Sequence, residues 1–568
     1  MGKNIILCAD GTGNRGGETP DTNVYRMYHA VDLHDPTRHR EQITYYDNGV
    51  GTSTNKYIQG ISGGLGFGFG ANVRQLYEFL VKNYSDGDIV YLFGFSRGAA
   101  TVRAFGGMLQ NCGLIDRNHE QCKANGEVSD ERIKHLVDEA FSHYRIHSGD
   151  QFKDKNYVIK EVRIKFMGIW DTVSALGFPY HRTGDSLLED FLERPLPVWL
   201  ASVCDKLFNY GSLAHTFYNY TPNKIVDHVY HAIAIDDERK SFLPRVWDET
   251  EPGLKGNITQ VWFSGMHSDV GGSYNQTGLA YETMVWMMER AEHHGLDFVA
   301  GALQHAQNKS NVHGLLHNSR DGLAIYYRYA PRNIMKLCSK NEAGNPRKLI
   351  GRPKIHRSVI DRMLRDTDGY APGLLPTEFD IVNTAISNKN TSKLVDYGID
   401  NASPNDPHVV DEATVVSPKN KAECWTTESN AVETSVAHRR RLYRVFADFT
   451  FLILITAVWL WVYDSNWGCK IDCTTLVSQY LGESNLWRFS FDTTPINVLG
   501  IELNGDILKY LSPKMFEGFI ELFWVTYPVV AVLLAFIAFG LWYIKAKLRG
   551  ITTQRSLRLR KKIMDAML

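Results

Sequence analysis

Six short apolar runs, rich in β-branched and aromatic residues, punctuate the first half of the chain: Ile5–Ala9, Ile43–Tyr46, Ile89–Phe93, Ile164–Ile169, Val229–Ile235 and Ile258–Phe263. Within each run the apolar residues are nearly continuous instead of alternating with polar ones. That is the pattern of strands buried on both faces. Between several of the runs the period changes to that of amphipathic helices, most clearly over Ala71–Tyr84 and Asp130–His147. Strand–helix alternation of this kind predicts an α/β fold, a mainly parallel sheet with helices on both faces.

In such sheets the chemistry sits just beyond the carboxyl ends of the strands. The first run ends in Asp10-Gly11-Thr12-Gly13-Asn14 and the third in Gly94-Phe95-Ser96-Arg97-Gly98. The fourth leads to Asp171 ("GIWDTVSALG") and the sixth to His267 ("FSGMHSDVGGSY"). A G-x-S-x-G spacing between a strand and an alanine-rich helical stretch is that of a nucleophile elbow, where small flanking residues permit a tight turn that presents the hydroxyl. Taken singly, a strand-end aspartate is ordinarily a turn former and a lone histidine a structural residue. Together on one sheet edge, in the order Ser…Asp…His, they read as the triad of an α/β-hydrolase. Ser96, Asp171 and His267 are therefore the expected nucleophile, acid and base. The expected oxyanion donors are the backbone N–H of Arg97 and the Gly11–Thr12 turn. Asp236 and Asp237, after the fifth run, are rival acids, because that strand end supplies the acid in many hydrolases; Trp170 and Thr172 around Asp171 favour the latter. Asp269 reads as a brace for the histidine loop.

Composition narrows the class. The 568 residues carry a net charge of −1, with 44% hydrophobic and 22% charged residues, a globular balance that argues against a nucleic-acid binder. The eight cysteines include no C-x-x-C pair, and no His/Cys/carboxylate cluster has ligand spacing, so no metal or other cofactor is expected. "GGLGFGFGA" (Gly63–Ala71) contains G-x-G-x-x-A, but no clear strand leads into it, so it reads as an apolar glycine loop near the site entrance. The leucine- and aromatic-rich stretch Ser186–Tyr220 suits either a cap over an acyl pocket or an ordinary packing helix.

Polarity changes again over Ser387–His438, which is polar and irregular. Beyond it stand apolar runs of 18 and 23 residues, Val445–Val462 and Leu522–Ile544, with Trp and Tyr at their ends. Runs of that length and flanking are expected to be transmembrane helices. Arg439, Arg440, Arg441 and Arg444 precede the first, Lys545, Lys547 and Arg549 follow the second, and the loop between is net acidic. Basic outer flanks predict a two-span hairpin in the inner or plasma membrane with the hydrolase facing the cytoplasm. The loop holding Cys469 and Cys473 would then lie where a disulfide is permitted. The expected organisation is a hydrolase domain with cap insertions over 1–385, a polar linker over 386–440, and a transmembrane hairpin with extracytoplasmic loop and basic tail over 441–568. Such a hairpin also offers a surface for homo-oligomer formation.

The segments "ADGTGN", "NGVGT" (Asn48–Thr52), "GFSRGAA", "GIWDTVSALG", "HAIAIDDERKSFLP" (His231–Pro244), "GMHSDVGGSY", "SVIDRMLRD" and "YAPGLLP" follow one another along the chain. On these segments the chain, to about residue 380, resembles the α/β-hydrolases of domain-of-unknown-function family 2235, which includes the first class of type VI secretion phospholipase effectors. The resemblance implies a Ser-Asp-His lipid esterase carried by Ser96, Asp171 and His267. With the two apolar runs added, the expectation is a membrane-anchored serine hydrolase acting on membrane phospholipid or a related acyl ester. The alternatives are the same triad acting on soluble acyl esters or thioesters, and a catalytically silent membrane sensor.

Overall fold

The computed structural model describes residues 2–49, 69–173, 224–383, 427–443 and 528–567, and short strands at 414–416, 496–498 and 501–503. Within these ranges, short stretches around 12–19, 35–39, 252–256, 322–328, 343–344 and 377–378 are not described. The expected cap Ser186–Tyr220, most of the glycine loop Gly63–Ala71, and Cys469 and Cys473 fall outside the described residues.

A nine-stranded sheet organises the larger of two compact units, which takes in residues 1–181, 210–436 and 552–568. In chain order its strands are β1 (Asn4–Ala9), β2 (Gln42–Asp47), β3 (Ile89–Phe95), β4 (Ile164–Trp170), β5 (Val226–Ala234), β6 (Ile258–Phe263), β7 (Lys354–His356), β8 (Phe379–Val382) and β9 (Thr414–Val416). Their spatial order is β9-β8-β7-β6-β5-β4-β3-β1-β2, with every pair parallel except the antiparallel β8–β9 edge. The apolar runs are continuous because both sheet faces are covered. On β1, Ile5, Leu7 and Ala9 join a core with helices α2 (Phe69–Asn83), α3 (Arg97–Cys112) and α4 (Asp130–Arg145). Ile6 and Cys8 enter the opposite core with α1 (Asn23–Ala30) and α6 (Gly278–His293). A short helix, α5 (His267–Gly271), follows β6.

Register aligns the chemistry. Ala9 pairs with Gly94 and Asp47, Phe95 with Trp170, Trp170 with Ala232, and Phe263 with Ala234. The residues that follow these strand ends therefore emerge along one edge. β1 has β2 on one side and β3 on the other, so the strand order reverses between β1 and β3, where α/β sheets characteristically bind ligands.

The membrane hairpin requires correction. No helix of the described residues is long and apolar enough to cross a membrane. The second apolar run enters helix α7 (Pro528–Met567). That helix is apolar only to Ile544, roughly 26 Å at 1.5 Å per residue against a hydrocarbon core of about 30 Å, before Lys545, Lys547 and Arg549 intervene. The first run lies almost wholly outside the described residues. The two-span fold, the membrane localisation with a cytoplasm-facing hydrolase, anchoring to a phospholipid substrate and oligomerisation through a hairpin are all withdrawn with it.

The end of α7 packs instead of trailing free. Thr552, Ser556, Leu559 and Ile563, spaced four, three and four residues apart, form a buried stripe within the larger unit. Arg555 Nη1 donates to Ala431 O at 2.7 Å, Lys562 pairs with Glu428 at 3.2 Å, and Arg560 Nη1 reaches Tyr370 O at 3.2 Å. The smaller unit, residues 182–209 and 437–551, is described only in part and includes the antiparallel pair Ile496–Val498 and Ile501–Leu503.

Candidate active site

Ser96 stands between β3 and α3 with φ 58° and ψ −120°, a region that L-residues rarely adopt. The flanking glycines explain how the turn is made. A Cβ on Gly98 would come within 2.0 Å of Ala9 O, and one on Gly94 within 2.7 Å of Ala99 Cα. Ser96 N donates to Trp170 O at 3.0 Å, which ties the elbow to the next strand end. Such strained turns persist only where the surroundings over-determine them.

Asp171 follows β4, also with positive φ (40°), and its N–H donates to Ala232 O at 2.7 Å. His267 opens α5 beyond β6. Its ring lies 4.6 Å from that of Phe95 and 5.0 Å from that of Phe242. His267 Nδ1 is 2.5 Å from Asp171 Oδ2, and Nε2 is 2.8 Å from Ser96 Oγ. All three residues are buried. An ionised carboxylate only accepts, so Nδ1 carries the proton and Nε2 is left to accept from the serine hydroxyl.

The acid has a further partner. Arg332 Nη1 donates to Asp171 Oδ1 at 2.5 Å and Nη2 to Asp171 Oδ2 at 2.8 Å. Burial alone would push the Asp171 carboxyl up, but Arg332 and the His267 hydrogen bond outweigh it and hold Asp171 well below the usual carboxylate range. Burial draws His267 below the ordinary imidazole value, against the opposing pull of Asp171.

Asp236 and Asp237 do not meet the imidazole. Asp236 Oδ2 accepts from Gly265 N at 2.7 Å and Tyr370 Oη at 2.9 Å, and burial pushes its carboxyl up to about 7. Asp237 is paired with Arg239 at 2.6 Å and accepts the His267 backbone N–H at 3.3 Å. Asp269 holds the histidine loop from below, accepting Met266 N at 3.1 Å and His317 N at 3.0 Å, with His317 Nδ1 2.5 Å from its Oδ1.

Of the expected oxyanion donors, Arg97 begins α3 immediately after Ser96, and Thr12 lies outside the described residues. Gly11 is close, since a Cβ there would sit 3.0 Å from Ser96 Cβ, but its N–H donates to Asp10 Oδ1 at 2.6 Å. Asp10 also accepts from Thr22 Oγ1 at 2.5 Å and Tyr46 Oη at 2.6 Å. This buried carboxylate shapes the loop beside the nucleophile, and in this geometry it occupies the donor that sequence assigned to the oxyanion.

Residues 3–290 match the family model of the catalytic domain of type VI secretion Tle1-like phospholipase effectors. The chain belongs to this family. Over 254 residues it is 27% identical to the uncharacterized protein YEL023C of Saccharomyces cerevisiae, covering 42% of this chain and 32% of that one. A solved structure of the Tle1 effector bound to the VgrG spike of the type 6 secretion system is similar at 18% identity, covering 49% of this chain and 52% of that one with a TM-score of 0.26. A crystal structure of an uncharacterized protein from Pseudomonas aeruginosa is similar at 17% identity over 78% of this chain and 59% of that one, with a TM-score of 0.31. The chain thus spans a third of the yeast relative's length and between half and three-fifths of these two solved chains.

Ser96, Asp171 and His267 all fall inside the Tle1-like segment, whereas Arg332, β7 and β8 lie beyond it. Sequence reasoning missed Arg332. It is 161 residues from its partner, and "YAPRNI" carries no motif that would mark it.

Proposed function

We propose that the protein is a serine esterase of the phospholipase type, cleaving acyl esters through Ser96, His267 and Asp171. The observation that carries this reading is the unbroken hydrogen-bonded line from Ser96 Oγ through His267 to Asp171, buried at the carboxyl edge of the sheet in a Tle1-like domain. Ser96 Oγ attacks the acyl carbonyl as His267 Nε2 takes its proton. Asp171 fixes the imidazole and stabilises its charged form. The Arg97 N–H, at the start of a 16-residue helix, is assigned as an oxyanion donor, where the helix terminus adds favourable partial charge. Gly11 would join it only on releasing Asp10. His267 then gives the proton to the departing alcohol or thiol, and water repeats the sequence on the acyl-enzyme.

The substrate class is read as acyl esters or thioesters met in solution, with phospholipid esters included on the strength of the family description. An assembled triad weighs against a silent sensor. The test is a fluorophosphonate probe together with turnover of a p-nitrophenyl acyl ester and of a short-chain phosphatidylcholine kept below its micellar concentration. The unsubstituted chain should be labelled and active, and Ser96→Ala should lose the label and about 10⁴-fold or more of turnover. A folded chain that neither reacts nor turns over any of these esters refutes the assignment.

A further inference from the structure

The structure assigns Arg332 as a positioning residue for the triad: its guanidinium clamps Asp171 so that this carboxylate stays ionised and aimed at His267. The inference rests on the esterase reading above and deepens it.

The geometry is a fork on a fork. Both guanidinium NH₂ groups bind one carboxylate oxygen each, and each is also held by a backbone carbonyl, Nη1 by Ala234 O and Nη2 by Phe242 O, both at 2.5 Å. Arg332 is thus fixed from both sides at the end of β5 and the segment after it. Bidentate pairing of this kind sets the plane of the carboxylate as well as its charge. Asp171 Oδ1 receives Arg332 Nη1 and the Ala234 N–H (3.0 Å), while Oδ2 receives Arg332 Nη2 and His267 Nδ1. Each oxygen has two donors, so the carboxylate cannot rotate without breaking several bonds. That matters because a triad acid works by holding one imidazole orientation and one tautomer.

The charge matters too. Both side chains are fully buried. An isolated carboxylate there would take up a proton and cease to be a pure acceptor. The other charged or titratable groups around it do not replace Arg332. His231 on β5, pushed down to about 3 by burial with Arg103 adding to the effect, is neutral and accepts the Thr172 N–H at 3.2 Å. Asp236 and Asp237, on the segment after β5, are carboxyl groups themselves, and Arg239 from that segment is committed to Asp237. His267 brings no fixed charge in its resting state.

Removing Arg332 leaves a buried Asp–His pair without its cation. Such a pair binds a proton at higher pH whether the proton lodges on Nε2 or on the carboxylate. Either placement removes the working base, so the acid limb of the pH–rate profile moves upward.

The experiment uses the full chain, with Arg332→Gln and Arg332→Lys compared by kcat and KM across pH, and thermal unfolding as a check on folding. Arg332→Gln should lose on the order of 10- to 100-fold in kcat, a part of what a positioned general base supplies, with KM little changed. Its acid limb in kcat/KM should rise by about one pH unit or more. Arg332→Lys keeps the charge but not the fork, and should fall between the two. An Arg332→Gln chain that is folded, with wild-type kcat and an unmoved acid limb, overturns the inference. Should Arg332→Gln fail to fold, Arg332→Lys decides, since unchanged kcat and acid limb there also overturn it. Should the unsubstituted chain show no ester hydrolysis and no fluorophosphonate label, the esterase reading has failed separately. The clamp is then judged by NMR titration of the His267 ring, which must titrate at higher pH in the variant than in the parent.

Discussion

Two His–Asp pairs, one fully buried and the other with a half-buried histidine, share a contact but not a chemistry. In both, a histidine Nδ1 stands 2.5 Å from an aspartate oxygen: His267 on Asp171, and His317 on Asp269. Asp171 is paired with Arg332 and held below the usual carboxylate range, whereas among the described residues Asp269 accepts from backbone N–H groups besides its histidine, and burial pushes it up. The far nitrogen of His267 meets a nucleophile, while the His317 ring stacks on Tyr274 at 3.8 Å. A short His–Asp contact therefore does not define a catalytic pair. What separates them is a fixed cation behind the acid and a hydroxyl in front of the base.

The largest expected difference comes from the bases. His267→Ala should lower ester turnover by about 10⁴-fold or more in a chain that still folds, while His317→Ala should keep turnover within about tenfold of the parent. Loss of stability from His317→Ala, read as a lower denaturation midpoint, would mark it as a brace. Equal losses of turnover would erase the distinction.

The acids should follow the same order with smaller numbers. Asp171→Asn keeps the shape but favours the wrong imidazole tautomer, and is expected to cost on the order of 10⁴ in kcat. Asp269→Asn acts only through the loop and should cost at most about tenfold. A ranking with Asp236→Asn or Asp237→Asn as the most damaging would move the acid role to the strand end after β5.

The smallest effect concerns stability and pH. Among the described residues no ion pair holds Asp236, and burial pushes its carboxyl up to about 7. A group whose folded value is raised contributes stability that is present below the unfolded value of about 4 and lost as pH rises through the folded one. Asp236→Asn should therefore unfold at a higher temperature than the parent at pH 8, with the gap shrinking towards pH 5. Asp171 runs the other way, because its depressed value makes the ion pair favourable above about pH 4 and lost below it. Thermal scans of the parent and Asp236→Asn between pH 5 and 8, and of the parent and Asp171→Asn from about pH 5 downward, separate the two signs.

How far sequence reached follows the same physics. The six apolar runs became β1 to β6 with ends moved by a few residues, because strands covered on both faces must be apolar throughout. Ser96, Asp171 and His267 were legible because each stands directly beyond such a run. β7 and β8 were not, since Lys354–His356 and Phe379–Val382 are too short to show a pattern. Arg332 was invisible for a different reason: a charged residue in a loop advertises exposure, and only the assembled fold reveals that it is buried against Asp171. The reading of Leu522–Ile544 as a membrane span counted apolar residues but could not see that the helix runs on past Lys545 to a buried stripe that belongs to the larger unit.

The placement of β7 beside β6 has a consequence for how the domain can be divided. Cut back to residues 3–290, the chain would keep its whole triad but uncover the flank of β6, the segment "ITQVWF", now paired with Lys354 and Ile355. An open strand edge of that composition invites pairing with other chains. The minimal unit for handling the hydrolase in isolation is therefore larger than its catalytic signature. A fragment ending at residue 290 should precipitate or self-associate, where one carried through β9, the strand that closes the flank of β8, should not.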